Sequence, residues 1–110
     1  MLEKGDFFSE ARRSWDRALE IDPAYAPALL GKGRYHVMMA YRGGDDPRAG
    51  MAVLEKVFLA SPDAGTKAEA EFYMGIGHRR LGDEASARGQ FGKCLKLDPA
   101  FMPAILASQA

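Results

Sequence analysis

The sequence has a single cysteine, two histidines and one tryptophan in 110 residues, and its fifteen basic side chains are matched by fifteen acidic ones. Each scarcity removes a class of function. Cys94 alone forms no intramolecular disulfide and no C-x-x-C ligand pair. His36 and His78 do not make up the three ligands that a metal site needs. A net charge of zero lacks the basic surplus with which nucleic-acid binders displace counterions from phosphates. No apolar run approaches the roughly 20 residues of a membrane-spanning helix, and the opening MLEKGDFF contains no apolar stretch of the kind that directs secretion. The expectation is a chain with no cofactor, metal, nucleic-acid or membrane partner, located in the cytoplasm. What is present is ordinary globular material, 47% hydrophobic and 27% charged, enough for one domain over residues 1–110.

Helical signals fill that domain. Asp6 is placed to cap a helix running to about Ile21, with Phe8, Ala11, Trp15, Ala18 and Leu19 on one apolar face at three- and four-residue steps. Asp22-Pro23 stops it, since proline has no amide to donate and disfavours helical geometry in the residue before it. A second helix is expected from Ala26 to Tyr41. Its Gly31 and Gly33 each cost about 1 kcal/mol against alanine, which points to a neighbouring helix approaching closely. The loop Arg42–Gly50 follows, with Asp46 as cap and Pro47 opening a third helix to Leu59 or Ala60, whose inward side chains are Met51, Leu54, Val57 and Phe58. After the Ser61–Gly65 break, Thr66 and Glu69 read as a capping box, so the fourth helix is expected from Lys67 to just before Gly82, a left-handed stop. Asp83 caps a fifth helix to Leu97, and a sixth begins at Phe101.

The spacing of the prolines relates these helices to one another. Ala11 to Pro23, Gly50 to Pro62 and Ala87 to Pro99 each span 12 residues; Trp15, Leu54 and Phe91 each precede the proline by 8, and Ala18, Val57 and Cys94 by 5. The intervening helices carry Gly33 and Gly75, each followed three residues later by a histidine. Two kinds of helix alternate. The chain thus resembles the tetratricopeptide repeat (TPR) family, whose unit of about 34 residues carries W-x2-L-G-x2-Y…A-x3-F…P. From Ala68 to Phe101, Met74, Gly75, His78, Ala87, Phe91 and Pro99 occupy motif positions, with Glu71 in place of the tryptophan and His78 in place of the tyrosine. From Ala26 to Ala64, Leu29, Gly33, His36, Gly50, Leu54 and Pro62 match, with Lys32 where leucine is usual. The resemblance implies an all-α solenoid, a right-handed superhelix of about two and a half antiparallel helix-turn-helix repeats. Its parts are the second helix of a partial repeat (1–23), a repeat with a lengthened inter-helix loop (24–64), a second repeat (65–101) and the start of a capping helix (102–110).

The same resemblance implies a non-catalytic scaffold that binds a peptide segment of a partner protein in a concave groove lined by the first helix of each repeat. Helical spacing places Leu30, Arg34, Val37 and Met38 along one side of the second helix, and Tyr73, Ile76 and Arg80 along the matching side of the fourth. Arginine forks beside apolar and aromatic groups suit a peptide that alternates acidic groups and hydrophobic anchors. The alternative is self-association, with Phe8 and Trp15 at one end and Phe101, Ile105 and Leu106 at the other burying against another copy. No enzymatic constellation stands out. Gly31-Lys32-Gly33 and Gly75-Ile76-Gly77 lie in helices and lack the strand context of phosphate loops. The pairs Asp45-Asp46 and Asp83-Glu84 are accounted for by capping, and Cys94 by packing as a buried thiol.

Overall fold

The structure, a computed structural model, describes residues 4–39 and 46–109, with side chains from Ser9 onward. The expected loop residues Arg42–Asp45, the last turn of the second helix at Ala40 and Tyr41, and the side chain of Phe8 lie outside the described residues. Those described form six α-helices and no strand: α1 Lys4–Ile21, α2 Ala26–Met39, α3 Pro47–Ala60, α4 Ala64–Arg80, α5 Glu84–Leu97 and α6 Met102–Gln109. None of these helices is long and apolar enough to cross a membrane.

Helix starts follow the carboxylates, with two departures from the sequence expectation. Asp46 caps α3 by accepting from the Arg48 amide at 2.9 Å, and Asp83 caps α5 by accepting from the Ser86 amide at 3.1 Å and its hydroxyl at 2.7 Å. The Thr66–Glu69 capping box does not form. Asp63 caps α4 instead, accepting from both the amide and the hydroxyl of Thr66 at 2.8 and 2.9 Å. An ionised carboxylate is the stronger acceptor for those amides, so the helix starts at Ala64 rather than Lys67. Likewise α1 starts at Lys4, which puts Asp6 inside the helix rather than at its cap. Helix ends show one local geometry three times. Asp22, Ser61 and Asp98, each just before a proline, use a side-chain oxygen to accept from the amide two residues on, all at 3.1 Å. Gly82, at φ 82°, ends α4 in the left-handed region, with its amide donating to Arg79 O and the Asp83 amide to His78 O, the pair of hydrogen bonds of a Schellman stop.

The closest helix pairs are α2 with α3 and α4 with α5. Both pairs are antiparallel: Gly33 meets Leu54 while Val37 meets Gly50, and Ala68 shares a cluster with Cys94 while Arg79 reaches Glu84. Glycine permits the approach. A Cβ on Gly33 would lie 2.6 Å from Leu54, and one on Gly75 would lie 2.5 Å from the Phe91 ring. Leu54 and Phe91 are consequently sealed from solvent, with Val37, Val57, Ala70 and Met74 continuing the main core. Between the pairs, Met51 of α3 packs on Gly77 of α4. The expected inward set of α3 divides accordingly: Leu54 and Val57 are fully buried, Met51 and Phe58 half-buried at the core's edge.

The outer helices are held more lightly. No side chain described in α1 is buried. Helix α6 buries Ala104, and its last carbonyls are tied by guanidinium groups, Arg79 to Ala107 O and Arg88 to Ser108 O, both at 3.1 Å. Gly75→Ala is expected to destabilise the fold by about 2 kcal/mol because the Phe91 ring cannot yield. Gly89→Ala, at a helical glycine with nothing within 4 Å of its Cβ direction, should stabilise by about 0.5–1 kcal/mol. Urea unfolding midpoints of the two variants check both signs.

Candidate functional site

Three of the seven groove residues expected from sequence come together. Arg34, Met38 and Tyr73 line a groove of about 310 Å³ between α1, α2 and α4, joined there by Trp15, Gly31, Tyr35 and Met39. On α2 the lining positions 31, 34, 35, 38 and 39 recur at three- and four-residue steps and form one helical face. The stripe read from sequence, Leu30, Arg34, Val37 and Met38, shares Arg34 and Met38 with it and is centred about 80° away around the same helix. The remaining expected residues are elsewhere. Val37 is 0% exposed, wedged against Gly50 and within reach of Gly77, so its assignment to a binding surface is corrected: it is core. Leu30 and Ile76 pack against the main core cluster as partly buried side chains. Arg80 is half-buried at the last turn of α4, with its Nε shielded from solvent, and is not among the described residues that line the groove.

Each wall of the groove has a physical cause. Gly31 lets the Trp15 indole lie directly on the α2 backbone, at 2.7 Å from where a Cβ would be. The indole then meets Tyr35 at 6.1 Å between ring centroids, tilted by 57°. Guanidinium groups sit over both tyrosine rings, Arg12 over Tyr35 at 5.4 Å and Arg34 over Tyr73 at 5.8 Å. Such stacking contributes about 0.5–1 kcal/mol at exposed sites and holds a cation beside an apolar wall. Asp16 is engaged on another side of α1, accepting from Lys32 at 2.7 Å. The result is a trough of aromatic and thioether surface edged by arginines. Four of its members escape the sequence reading: Trp15 is placed at an open end, Gly31 marks only a close helix approach, and Tyr35 and Met39 carry no role, although the Gly31-Tyr35-Met39 stripe is there to be read.

No family model matches the chain, and no curated protein or solved structure matches it.

Several titratable groups outside the groove are held by packing, capping or pairing. Cys94 is a free, fully buried thiol beside Ala68 and Ala104, and desolvation, reinforced by Asp98 and Glu71, pushes it up to about 11, which keeps it protonated and unreactive at neutral pH. His36 and His78 are both half-buried, and His36 meets Tyr35 edge-on at 5.6 Å. Among the described residues no group of three metal-ligating side chains assembles. Hydrogen bonds from Thr66 and Ser86 hold the capping carboxyls of Asp63 and Asp83 below their ordinary range. Arg79 and Glu84 form a two-pronged pair at 2.9 and 2.7 Å, which lowers the carboxyl and raises the guanidinium.

Glu71 is the exception. It is 9% exposed, its Oε2 accepts no hydrogen bond, and burial raises its carboxyl above the ordinary 4.5, with the Lys93 charge pulling the other way. A carboxyl raised in the fold supports the folded state while protonated, below 4.5, and withdraws that support as pH climbs through the folded value. Glu71→Gln is therefore expected to stabilise the protein at pH 7 by about 1 kcal/mol. The gain should shrink as pH falls through the folded value towards 4.5 and be absent below it. Thermal melts of both proteins across that range test it, and a difference that does not move with pH would count against it.

Proposed function

We propose that the chain is a non-catalytic protein-interaction scaffold of tetratricopeptide type, which holds a peptide segment of a partner protein in the groove between α1, α2 and α4. The observation that carries this reading is the groove itself: an open trough lined by the aromatics Trp15, Tyr35 and Tyr73, with Arg34 over the Tyr73 ring at its edge. Rigid aromatic side chains offer large contact area at low entropic cost, and aromatic and arginine side chains are the groups that dominate binding energy at protein interfaces. The lining has stacking and ionic contacts to offer, rather than a paired acid and base.

Support for the repeat architecture comes from recurrence in the helices. The same turn, in which Asp22, Ser61 or Asp98 accepts from the amide two residues on, closes α1, α3 and α5 at Pro23, Pro62 and Pro99. The glycine-to-large-side-chain contact joins α2 to α3 and α4 to α5 alike. In this reading α2 and α4 are the inner helices of successive repeats, and the peptide lies across them with an apolar anchor against Trp15 and Tyr73 and a carboxylate on Arg34.

Selection from a displayed peptide library should enrich sequences with acidic residues flanking an apolar or aromatic anchor. Binding is expected to move the emission of Trp15, the only tryptophan in the chain. Tyr73→Ala and Arg34→Ala should each weaken an enriched peptide about 5- to 30-fold, the arginine effect fading at high salt. Enrichment of no such sequence, or affinity indifferent to both substitutions, overturns the groove assignment.

A further inference from the structure

We infer that Met38 is a redox switch on the groove: a peroxide converts its thioether to the sulfoxide, and the oxidised groove releases its ligand. The inference rests on the groove reading proposed above and adds its regulation. Five of the six methionines are among the described residues, and the fold grades their access. Met74 is 6% exposed in the main core, and Met51 is half-buried on Gly77. Met39 is half-buried in the groove wall. Met38 is 44% exposed and lines the same groove, while Met102, 56% exposed, is on α6 and not among the groove's lining. Met38 is thus the groove sulfur most open to an oxidant. The rival sulfur, Cys94, is sealed and held protonated, and peroxide chemistry at cysteine runs through the thiolate.

In the reaction the Met38 Sδ lone pair attacks the hydroxyl oxygen of a hydroperoxide. An S–O bond forms as the O–O bond breaks, and the leaving oxyanion takes the proton from the transferred oxygen and departs as water or an alcohol. Sulfur is oxidised by two electrons and the peroxide is reduced by two. The product carries a polar acceptor where an apolar wall stood. Its place on the helix matters. Met38 follows Arg34 by four residues on α2, and side chains so spaced are neighbours on a helix face. Arg34 is exposed, with its guanidinium over the Tyr73 ring at 5.8 Å. A sulfoxide oxygen one turn on offers that guanidinium a directed, charge-assisted hydrogen bond. The bond draws the cation off the ring and competes with the ligand's carboxylate, and the new dipole is a polar group to be buried under the ligand's apolar anchor. One oxidation weakens both parts of the recognition.

The test follows binding of anilinonaphthalene sulfonate, a dye whose apolar rings suit the trough and whose sulfonate suits Arg34, before and after limiting hydrogen peroxide. In the untreated protein, dye affinity should fall in Tyr73→Ala and in Arg34→Ala; affinity indifferent to both refutes the groove reading, and the switch with it. After peroxide, peptide mapping by mass spectrometry should find one added oxygen on Met38 ahead of Met39, Met51 and Met74, with the helical circular dichroism retained. Dye affinity should drop by about 5-fold or more. Methionine sulfoxide reductase with dithiothreitol, which becomes the disulfide as the oxygen leaves as water, should restore it. Each variant is compared with its own untreated sample. Met38→Leu, which supplies a similar apolar volume without the sulfur, should show no peroxide effect, whereas Met39→Leu and Met102→Leu should keep it. With the groove reading intact, the switch alone is overturned by oxidation that spares Met38, by oxidised Met38 with dye affinity unchanged, or by a loss equally large in Met38→Leu.

Discussion

A large side chain driven into the backbone of a facing helix at a glycine is the contact on which the rest of the structure depends. Leu54 enters at Gly33 and Phe91 at Gly75, and each is sealed completely. Glycine is unfavourable in a helix interior because it loses more conformational freedom on folding than any other residue. That cost is offset by the contact area gained when two helix axes approach to the distance of one inserted ring or isobutyl group. The same device, shifted by one helix, gives Met51 on Gly77 between pairs and Trp15 on Gly31 at the groove. A single packing rule therefore builds both the core and the surface that we assign to binding.

Around that core the polar groups divide by exposure. The carboxylates of Asp46, Asp63 and Asp83 sit in water at helix starts, where they accept from otherwise unpaired amides. Arg79 joins the turn between α4 and α5 to the end of α6, meeting Glu84 and the Ala107 carbonyl while its guanidinium covers the Phe91 ring at 5.1 Å. Glu71 departs from this pattern, holding an unpartnered oxygen inside the α4–α5 interface. Its position is the one that tryptophan occupies in the repeat pattern that the chain resembles.

Much of the architecture was legible in the chain itself. The helix-breaking Asp-Pro and Ser-Pro pairs, the caps at Asp46 and Asp83 and the left-handed stop at Gly82 are local chemistry, settled by residues within a few positions of one another. The starts of all six helices fall within about three residues of the expectation. Where two local signals competed, proximity alone did not decide. Thr66 and Asp63 both reach the first turn of α4, and the charged acceptor prevailed.

The groove was less legible because a helical stripe can be drawn at several angles from the same periodicity. Leu30, Arg34, Val37 and Met38 and the rotated set through Gly31, Tyr35 and Met39 both satisfy it. Position in sequence determined the helices, their ends and their alternation, since those rest on hydrogen bonds and backbone preferences of neighbouring residues. Tertiary packing decided which face of α2 turned inward. Gly33 and Val37 had to meet Leu54 and Gly50, and that contact rotated Tyr35 toward Trp15 and into the open.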